Sequence, residues 1–261
     1  MRYALKFAYD GTKFEGYARQ PDRTTVEGEI LRALLTKGIA DTLQSASRTD
    51  RGVSAAGNVI AIDTDFPAKG VVPILNSELD GIRFHALAEV PPDFNPRHAR
   101  QRWYRYVLPA DGAPPINELK KAAKLFVGEH DFRQFSKKDT GDENTLLRID
   151  AIDFTKKENL ILADIKAQRF LWELVRRMLA AVLDVAHGRL EPELVNEMLT
   201  GNAWHPRGLR PMAPEFLVLM DVEYDFEFGK CGPGEDYFDS ESRNMMLHSR
   251  ILEQISEVIS S

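Results

Sequence analysis

The sequence predicts an α+β fold in which a mainly antiparallel central sheet is flanked by helices. Segments of alternating apolar and polar residues, typical of half-buried strands, are interleaved with segments of helical period. Residues 147–154 and 160–167 both have the strand pattern, and the link between them is too short for the crossover that parallel neighbours need. A chain of 261 residues with 43% hydrophobic side chains can also bury a sizeable shared core.

Three strands and one helix are predicted in the first hundred residues. The first alternating segment stops at Asp10-Gly11, as expected for a strand that ends in a turn. Helical spacing begins at Val26, and Thr24 or Thr25 is available as the N-cap. We predict strands over 3–9, 57–63 and 84–90, and a helix from Val26 to about Gly38.

The second half continues the interleaving of strands and helices. Its clearest element is a helix from Phe170 to His187, because its apolar residues fall on one face and Gly188 ends it. Pro192 opens a shorter helix that runs to about Thr200. The remaining predicted elements are a helix over about 116–127 and strands over 102–108, 147–154, 160–167 and 216–224.

Charge is distributed unevenly along the chain. The net charge is −6, but residues 221–261 carry 10 acidic and 3 basic side chains, so that residues 1–220 carry 30 acidic and 31 basic ones. A nearly neutral body can still present a basic surface to phosphates. Such a basic cluster occurs in the sequence at Arg97, His98, Arg100, Arg102 and Arg105. The acidic tail predicts a loop over 226–239 and a final helix through Leu247, Ile251, Ile255 and Val258.

Composition excludes several classes of protein. A single cysteine, Cys231, rules out an internal disulfide framework and a multi-cysteine zinc site. The most apolar helix candidate carries four charged residues, so no membrane span is expected. We therefore expect a soluble, cytoplasmic protein. We assign no metal site, since ligand spacing is absent among His98, His187 and His205.

The segment ASRTDRGVSAAGNV, from Ala46 to Val59, lies between two strand-like stretches, and residues 48–52 are expected to form the connecting loop. Loops on rigid sheets often carry catalytic groups. An aspartate before a glycine, however, most often bonds the backbone of its own turn. The residue types alone leave Asp50 open to both interpretations.

RTDRGVSAAGNV resembles the signature loop of the TruA-type tRNA pseudouridine synthases, in which GRTD is followed by any residue and then by GV. Ser47 replaces the signature glycine, and Ser54 stands where bacterial members carry His, so the loop is most similar to the archaeal and eukaryotic branch. The resemblance covers the chain except for its tail. Six further segments resemble the family's motifs in the family's order: YDGTKFEGYARQ, TVEGEILRAL, RWYRY, GEHDFRQF, FLWELVRRMLA and APEFLVL.

The resemblance implies a pseudouridine synthase fold of two packed subdomains around a cleft. Residues 1–100 would form the N-terminal subdomain with the catalytic loop, residues 101–225 the C-terminal subdomain, and residues 226–261 the acidic loop and helix. It also implies a homodimer that converts uridine to pseudouridine in the anticodon stem-loop of tRNA, at about positions 38–40. Because this isomerisation has no redox step and adds no group, we expect no cofactor.

The same motifs imply the site residues. Asp50 is expected to be the catalytic carboxylate, either as a nucleophile or as the base that removes the 2′ proton of the sugar. Arg176 is expected to pair with Asp50 and keep it ionised, although helical position alone would make it a solvated arginine. Tyr104 is expected to stack on the flipped base while Tyr106, on the same face of its strand, packs. The expected catalytic residues are Asp50, Tyr104 and Arg176, and the expected substrate-binding residues are Arg48, Thr49, Tyr104, Arg97 and Arg102.

Two other functions fit the sequence less well. A methyltransferase would need a glycine-rich nucleotide loop after a strand, whereas the Gly-dense stretch 229–234 lies in the acidic tail. A non-enzymatic tRNA-binding or tRNA-folding module would use the basic segment from Arg97 to Arg105 as its contact surface. The enzyme and the module would both bind tRNA with a strong salt dependence, and they differ in whether Asp50→Asn is tolerated.

Overall fold

The structure, a computed structural model, describes residues 1–137, 144–205, 208–231, 237–240, 242, 243 and 245. Its strands are β1 (Arg2–Tyr9), β2 (Gln44–Ser45), β3 (Ser54–Asp63), β4 (Ile82–Val90), β5 (Gln101–Pro109), β6 (Gly128–Asp131), β7 (Leu146–Lys157), β8 (Leu160–Ala167), β9 (Leu217–Glu223) and β10 (Gly229–Lys230). Its α-helices are α1 (Val26–Thr36), α2 (Ala68–Glu78), α3 (Ile116–Ala123), α4 (Leu174–Ala186) and α5 (Pro192–Leu199).

These strands form one continuous sheet in the described part of the chain. Their order is β10-β4-β1-β3-β9-β5-β8-β7-β6, and β2 pairs with β3. The pairings are antiparallel except for the short parallel pairing of β3 with β9. The predicted mainly antiparallel α+β sheet is therefore confirmed. Since β9 pairs with β3 on one side and with β5 on the other, the sheet runs without interruption through both halves of the chain.

Most predicted elements occur within a few residues of their expected positions. Helix α1 begins at Val26, and the side chain of Thr25 caps it by accepting from the backbone N–H of Gly28 at 3.3 Å. The helix predicted from Phe170 begins only at Leu174, because residue 173 has a φ of 62° and ends a turn. The predicted helix 116–127 is α helix only to Ala123 and continues as a 3-10 turn.

Three elements were not predicted from the sequence: α2, β6 and β10. The strand-like stretch expected before Ala46 contains only the two-residue β2. Helix α2 contains Pro73 in its interior and has no side-chain N-cap bond, so it lacks the usual signals of a helix. The strands β2 and β10 are two residues long and are held by their pairing with longer strands. Elements this short carry no readable period.

Strand β5 shows how the sheet turns side chains toward the interior. Its burial alternates, and the inward face carries Arg102, Tyr104 and Tyr106. Helix α4 packs on the same half of the molecule and buries an apolar face on which the cationic Arg176 is also buried. The fold thus brings two arginines and two tyrosines into the interior, where each needs a polar partner.

The described part of the acidic tail contacts the N-terminal half. Strand β10 extends the sheet beside β4, and Phe226 and Phe228 pack in an aromatic cluster with Phe94 and Tyr224. Further on, the hydroxyl of Tyr237 accepts from the backbone N–H of Gly81 at 3.0 Å. The loop predicted over 226–239 therefore includes a short strand. The predicted final helix, through residues 247–258, lies outside the described residues.

Candidate active site

A cleft of about 700 Å³ opens beside the loop that joins β2 to β3. Its walls are this loop, a segment of residues 15–20, the inward face of β5 and the turn before α4. Three carboxylates face six arginines: Glu15, Asp50 and Glu173 against Arg48, Arg51, Arg97, Arg102, Arg169 and Arg176. The excess of cations suits the cleft to a polyanionic ligand.

Asp50 accepts hydrogen bonds from two side chains of the α4 segment. Arg176 donates through Nη2 to Oδ2 at 2.6 Å, and Trp172 donates through Nε1 to Oδ1 at 2.8 Å. The turn of the loop is closed by the backbone alone, because the carbonyl of Asp50 accepts from Val53 N–H at 3.1 Å. The side chain of Asp50 is thereby left for the cleft, and the predicted pairing of Asp50 with Arg176 is confirmed.

The backbone of the loop is fixed by its neighbours. The hydroxyl of Thr49 hydrogen-bonds the buried Tyr9 hydroxyl at 2.7 Å, and the side chain of Asn58 donates to the carbonyl of Ser47 at 3.0 Å. Gly52 has a φ of +86°, and a Cβ there would lie 3.2 Å from Pro214, so both conformation and space favour glycine. Asp50 is therefore held on a pre-organised loop, and the contact of Thr49 favours a loop-setting role over the expected RNA contact.

Arg176 is buried and links the two halves of the molecule. Only 6% of its surface is exposed. Besides Asp50, its guanidinium donates to the carbonyl of Met212 at 2.9 Å and lies 3.3 Å from a carboxylate oxygen of Glu173. The helical pattern, which places Arg176 on a solvated face, is misleading because these acceptors offset the loss of water.

Tyr104 lies on the wall of the cleft and makes an edge-to-face contact with Phe170, with ring centroids 5.0 Å apart. Burial, assisted by the negative charge of Asp50, raises the pKa of Tyr104 to about 12, so its hydroxyl is protonated near neutral pH. Tyr106 packs two residues further along the same face and donates to the carbonyl of Ala213 at 2.9 Å. The predicted division between a cleft-facing and a packing tyrosine matches these positions.

Exposed arginines of the cleft differ from the arginines of the predicted basic cluster that lie outside it. Arg48, Arg51 and Arg97 are exposed, and their guanidinium groups form no hydrogen bond or ion pair with any residue that the structure describes. By contrast, Arg100 pairs with Glu223 at 2.8 Å, and Arg105 forms a two-point contact with Asp164. The basic cluster predicted from residue 97 to residue 105 is therefore partly neutralised and does not form one continuous cationic strip.

Arg102 is buried beneath the cleft, and all three of its guanidinium nitrogens bond the protein. Nε donates to Ser47 Oγ at 2.9 Å, Nη2 donates to the carbonyls of Ala46 and Arg97 at 2.9 and 3.0 Å, and Nη1 donates to the carbonyl of Gln168. Burial lowers the pKa of Arg102. These bonds favour a bracing role for Arg102 over the RNA contact expected from the sequence.

Comparison with known proteins assigns the chain to a family. A sequence model described as tRNA pseudouridine synthase matches residues 122–225. The chain is 46% identical over 227 residues to tRNA pseudouridine synthase A of Pyrococcus furiosus, which covers 86% of this chain and 84% of that protein. The chain belongs to the tRNA pseudouridine synthase family. The synthase is also similar to the protein of that name from Pyrococcus abyssi, with 44% identity over 228 residues that cover 86% of this chain and 85% of that one. Its identity to the protein of that name from Methanococcoides burtonii is 40% over 231 residues, which cover 86% of this chain and 83% of that one.

Solved structures show a more distant similarity. The synthase matches a chain in the crystal structure of the archaeal box H/ACA sRNP Nop10-Cbf5 complex with a TM-score of 0.37 and 11% identity, over 69% of this chain and 43% of that one. A chain of a Cbf5-Nop10-Gar1 complex matches with a TM-score of 0.36 and 13% identity, over 69% and 45%. The strand order of the synthase itself describes its fold in more detail than these matches.

Two features are absent from the described ranges of the synthase. Within those ranges no helix combines the length and the apolar character that crossing a bilayer requires. Over the same residues, no three His, Cys, Asp or Glu side chains lie close enough together to hold a metal ion.

Sequence reasoning missed three residues that the structure of the synthase brings into the site. Trp172 and Asn58 contact Asp50 and its loop, and Arg51 is an exposed cation of the cleft. All three lie inside segments that resemble family motifs, and Trp172 precedes Arg176 by four residues. A tryptophan beside an expected catalytic arginine was the available signal.

Proposed function

We propose that this synthase converts uridine to pseudouridine in the anticodon stem-loop of tRNA, at about positions 38–40, with Asp50 as the reacting group and without a cofactor. The observation that carries the proposal is the 2.6 Å pair of Asp50 and Arg176 inside an arginine-lined cleft. The names of relatives up to 46% identical support the reaction and the choice of tRNA. The position within tRNA rests on the family resemblance.

The reaction needs only groups that can be supplied by the protein and the nucleotide. The N1–C1′ bond breaks, the uracil turns, and a C5–C1′ bond forms, after which C5 has lost its proton and N1 carries one. No electron and no group is exchanged with another molecule. Asp50 acts either as a nucleophile toward the base or sugar or as the base for the 2′ proton, and both roles need an ionised carboxylate with an accessible oxygen.

The neighbours of Asp50 have roles that follow from their contacts. Arg176 holds Oδ2 of the carboxylate in a charge-assisted hydrogen bond and fixes its direction. Tyr104 is a neutral phenol, so it stacks on the extruded base or donates its proton, and it does not act as a phenolate. The three exposed arginines, Arg48, Arg51 and Arg97, are placed to contact phosphates on either side of the target nucleotide.

The proposal extends to a cytoplasmic homodimer, which the family resemblance implies. Light scattering of the purified protein over a range of concentrations measures its mass. A mass near twice 29.6 kDa at working concentrations supports the dimer. A mass of one chain under the conditions of the activity assay contradicts it without affecting the assignment of Asp50.

The experiment that tests the function maps pseudouridine in unmodified tRNA after incubation with the purified protein and no added cofactor. We expect pseudouridine at positions 38–40 and none after incubation with Asp50→Asn. Asp153→Asn is the matched control, because it removes an exposed carboxylate from β7 outside the cleft and should leave the reaction intact. Modification confined to other positions contradicts the anticodon assignment, and an active Asp50→Asn protein contradicts the catalytic role.

A further inference from the structure

Both carboxylate oxygens of Asp50 are occupied in the RNA-free protein. Arg176 donates to Oδ2, and the indole N–H of Trp172 donates to Oδ1. Each carboxylate oxygen keeps a second lone pair, but a donor on the oxygen draws electron density from it and fills part of the space through which carbon or a proton would approach. Reaction at an oxygen of Asp50 is therefore favoured when one of these two donors withdraws.

The two donors are held with very different strength. Arg176 is buried, carries a charge, and is also fixed by the carbonyl of Met212 and by Glu173. Trp172 is 43% exposed at the rim of the cleft, is neutral, and reaches Asp50 through a single hydrogen bond. Hydrogen bonds between two charged groups are the stronger class. The contact of Trp172 is the one that can be broken at low cost.

The backbone presents the indole to Asp50 in a defined way. Trp172 lies in the turn between β8 and α4, where Glu173 takes a left-handed conformation with a φ of 62°. The carbonyl of Trp172 accepts from the backbone N–H of Lys137 at 2.9 Å, and the ammonium of Lys137 lies 4.1 Å from the centre of the indole ring. Rotation of the exposed side chain can release Asp50 while this backbone hydrogen bond remains, at the cost of the contact with the Lys137 ammonium.

We propose that Trp172 is a further residue of the uridine-binding site: its indole occupies Oδ1 of Asp50 in the RNA-free enzyme and yields this oxygen to the target nucleotide. This inference rests on the proposed catalytic role of Asp50. The contact orients the carboxylate before RNA arrives, and the nucleotide has to displace it. Trp172 therefore opposes substrate binding and takes no part in the bond-making steps.

Kinetics of Trp172→Phe provide the first test. Phenylalanine keeps an aromatic ring but removes the N–H donor, so the substrate no longer competes with it. Turnover is measured with tRNA transcribed from [5-³H]UTP, whose tritium is released once the C5–C1′ bond has formed. We expect KM to fall about threefold to tenfold, the effect of one hydrogen bond of ordinary net strength, because the exposed Trp172 makes a partly solvated contact. We expect kcat to stay within about twofold, because Trp172 takes no part in the bond-making steps. A tenfold change in kcat would need a change of about 1.4 kcal/mol in the barrier.

Trp204→Phe is the control, because Trp204 is an exposed tryptophan outside the cleft. A lower kcat, a higher KM or unchanged constants would overturn the proposal.

A spectroscopic test does not depend on turnover or on the stability of Trp172→Phe. Protein labelled with 5-fluorotryptophan gives one ¹⁹F resonance for each of Trp103, Trp172 and Trp204, assigned by single replacements with Phe. We expect unmodified tRNA to shift the Trp172 resonance toward its position in RNA-free Asp50→Ala protein, in which the acceptor is absent. A Trp172 resonance that does not move on saturation with tRNA overturns the proposal even if the enzyme is active. An active Asp50→Asn protein would instead refute the catalytic role of Asp50. The movement of the Trp172 resonance would still show whether tRNA displaces the indole from Asp50.

Discussion

Replacement of Arg102 by methionine separates bracing from RNA binding. Methionine retains an apolar stem but removes every donor of the guanidinium, so Ser47 Oγ and the carbonyls of Ala46, Arg97 and Gln168 lose a partner. We expect Arg102→Met to lower stability and kcat. We expect it to leave the salt dependence of tRNA binding unchanged.

The expected loss of stability follows from the burial of these acceptors. Each buried acceptor left without a donor costs about 1–3 kcal/mol. Ala46 and Ser47 are buried, whereas Arg97 and Gln168 are exposed residues whose carbonyls water can reach. Two buried acceptors imply about 2–6 kcal/mol. Removal of the desolvated charge of Arg102 offsets part of this loss, so we expect a value in the lower half of that range. Because domains are typically stable by about 5–15 kcal/mol, the variant should still fold.

Urea unfolding and tRNA affinity over a range of salt concentrations measure the two effects. Arg97→Met is the matched control, because it removes an exposed guanidinium from the same cleft. We expect it to leave stability unchanged and to reduce the slope of log K against log salt by about 1, the contribution of one phosphate contact. If Arg102→Met reduced this slope as Arg97→Met does, while its unfolding midpoint matched the wild type, the bracing role would be refuted.

Three further outcomes follow from the site and the tail. Arg176→Met should lower kcat about 30-fold to 150-fold. Loss of the cation from a pair in which Asp50 is 25% exposed corresponds to about 2–3 kcal/mol in the barrier. Steady-state rates at saturating tRNA measure the change in kcat. Burial raises the pKa of Tyr104 to about 12, so between about pH 10 and pH 12 this phenol ionises in the unfolded chain but not in the folded protein, and the wild type loses stability. Tyr104→Phe lacks the phenol and should lose less stability over this pH range. Urea midpoints at about pH 8 and pH 11 test this. Truncation after Cys231 should leave kcat unchanged and tighten tRNA binding at low salt, because it removes net negative charge. Truncation from Phe226 should also destabilise the fold, because it removes β10 and the phenylalanines of an aromatic cluster. Binding titrations at two salt concentrations and thermal unfolding distinguish the two truncations.

Local periodicity was sufficient for the longer strands and for the packing face of β5. The alternation along this strand places Tyr104 and Tyr106 on one side, as the structure has them. Periodicity was insufficient at α4, where the apolar pattern continues back to Phe170 although the helix starts four residues later. The left-handed Glu173 ends the turn there, and its carboxylate is held by Arg176 and Arg177, which are contacts that a helical pattern does not report.

The parts of the site that escaped prediction depend on contacts distant in sequence. Arg102 reads as one of several basic residues, and its burial follows from acceptors 55 and 66 residues away in the chain. Trp172 reads as part of an apolar segment, yet its N–H reaches a carboxylate 122 residues earlier. These residues come into contact only when β9 joins the two halves of the sheet, so no local sequence pattern predicts their contacts.

The most direct test of the central claim compares tRNA binding and pseudouridine formation by Asp50→Asn in the same preparation. Asparagine keeps the size of the side chain and a carbonyl oxygen for Arg176, but it is a poor nucleophile and a poor base. We expect single-turnover assays with excess enzyme to show no pseudouridine, while tRNA affinity stays within about threefold of the wild type because Asp50 contributes little to phosphate binding. Pseudouridine formed at a rate near that of the wild type, or a loss of activity accompanied by an equal loss of affinity, would contradict Asp50 as the reacting group.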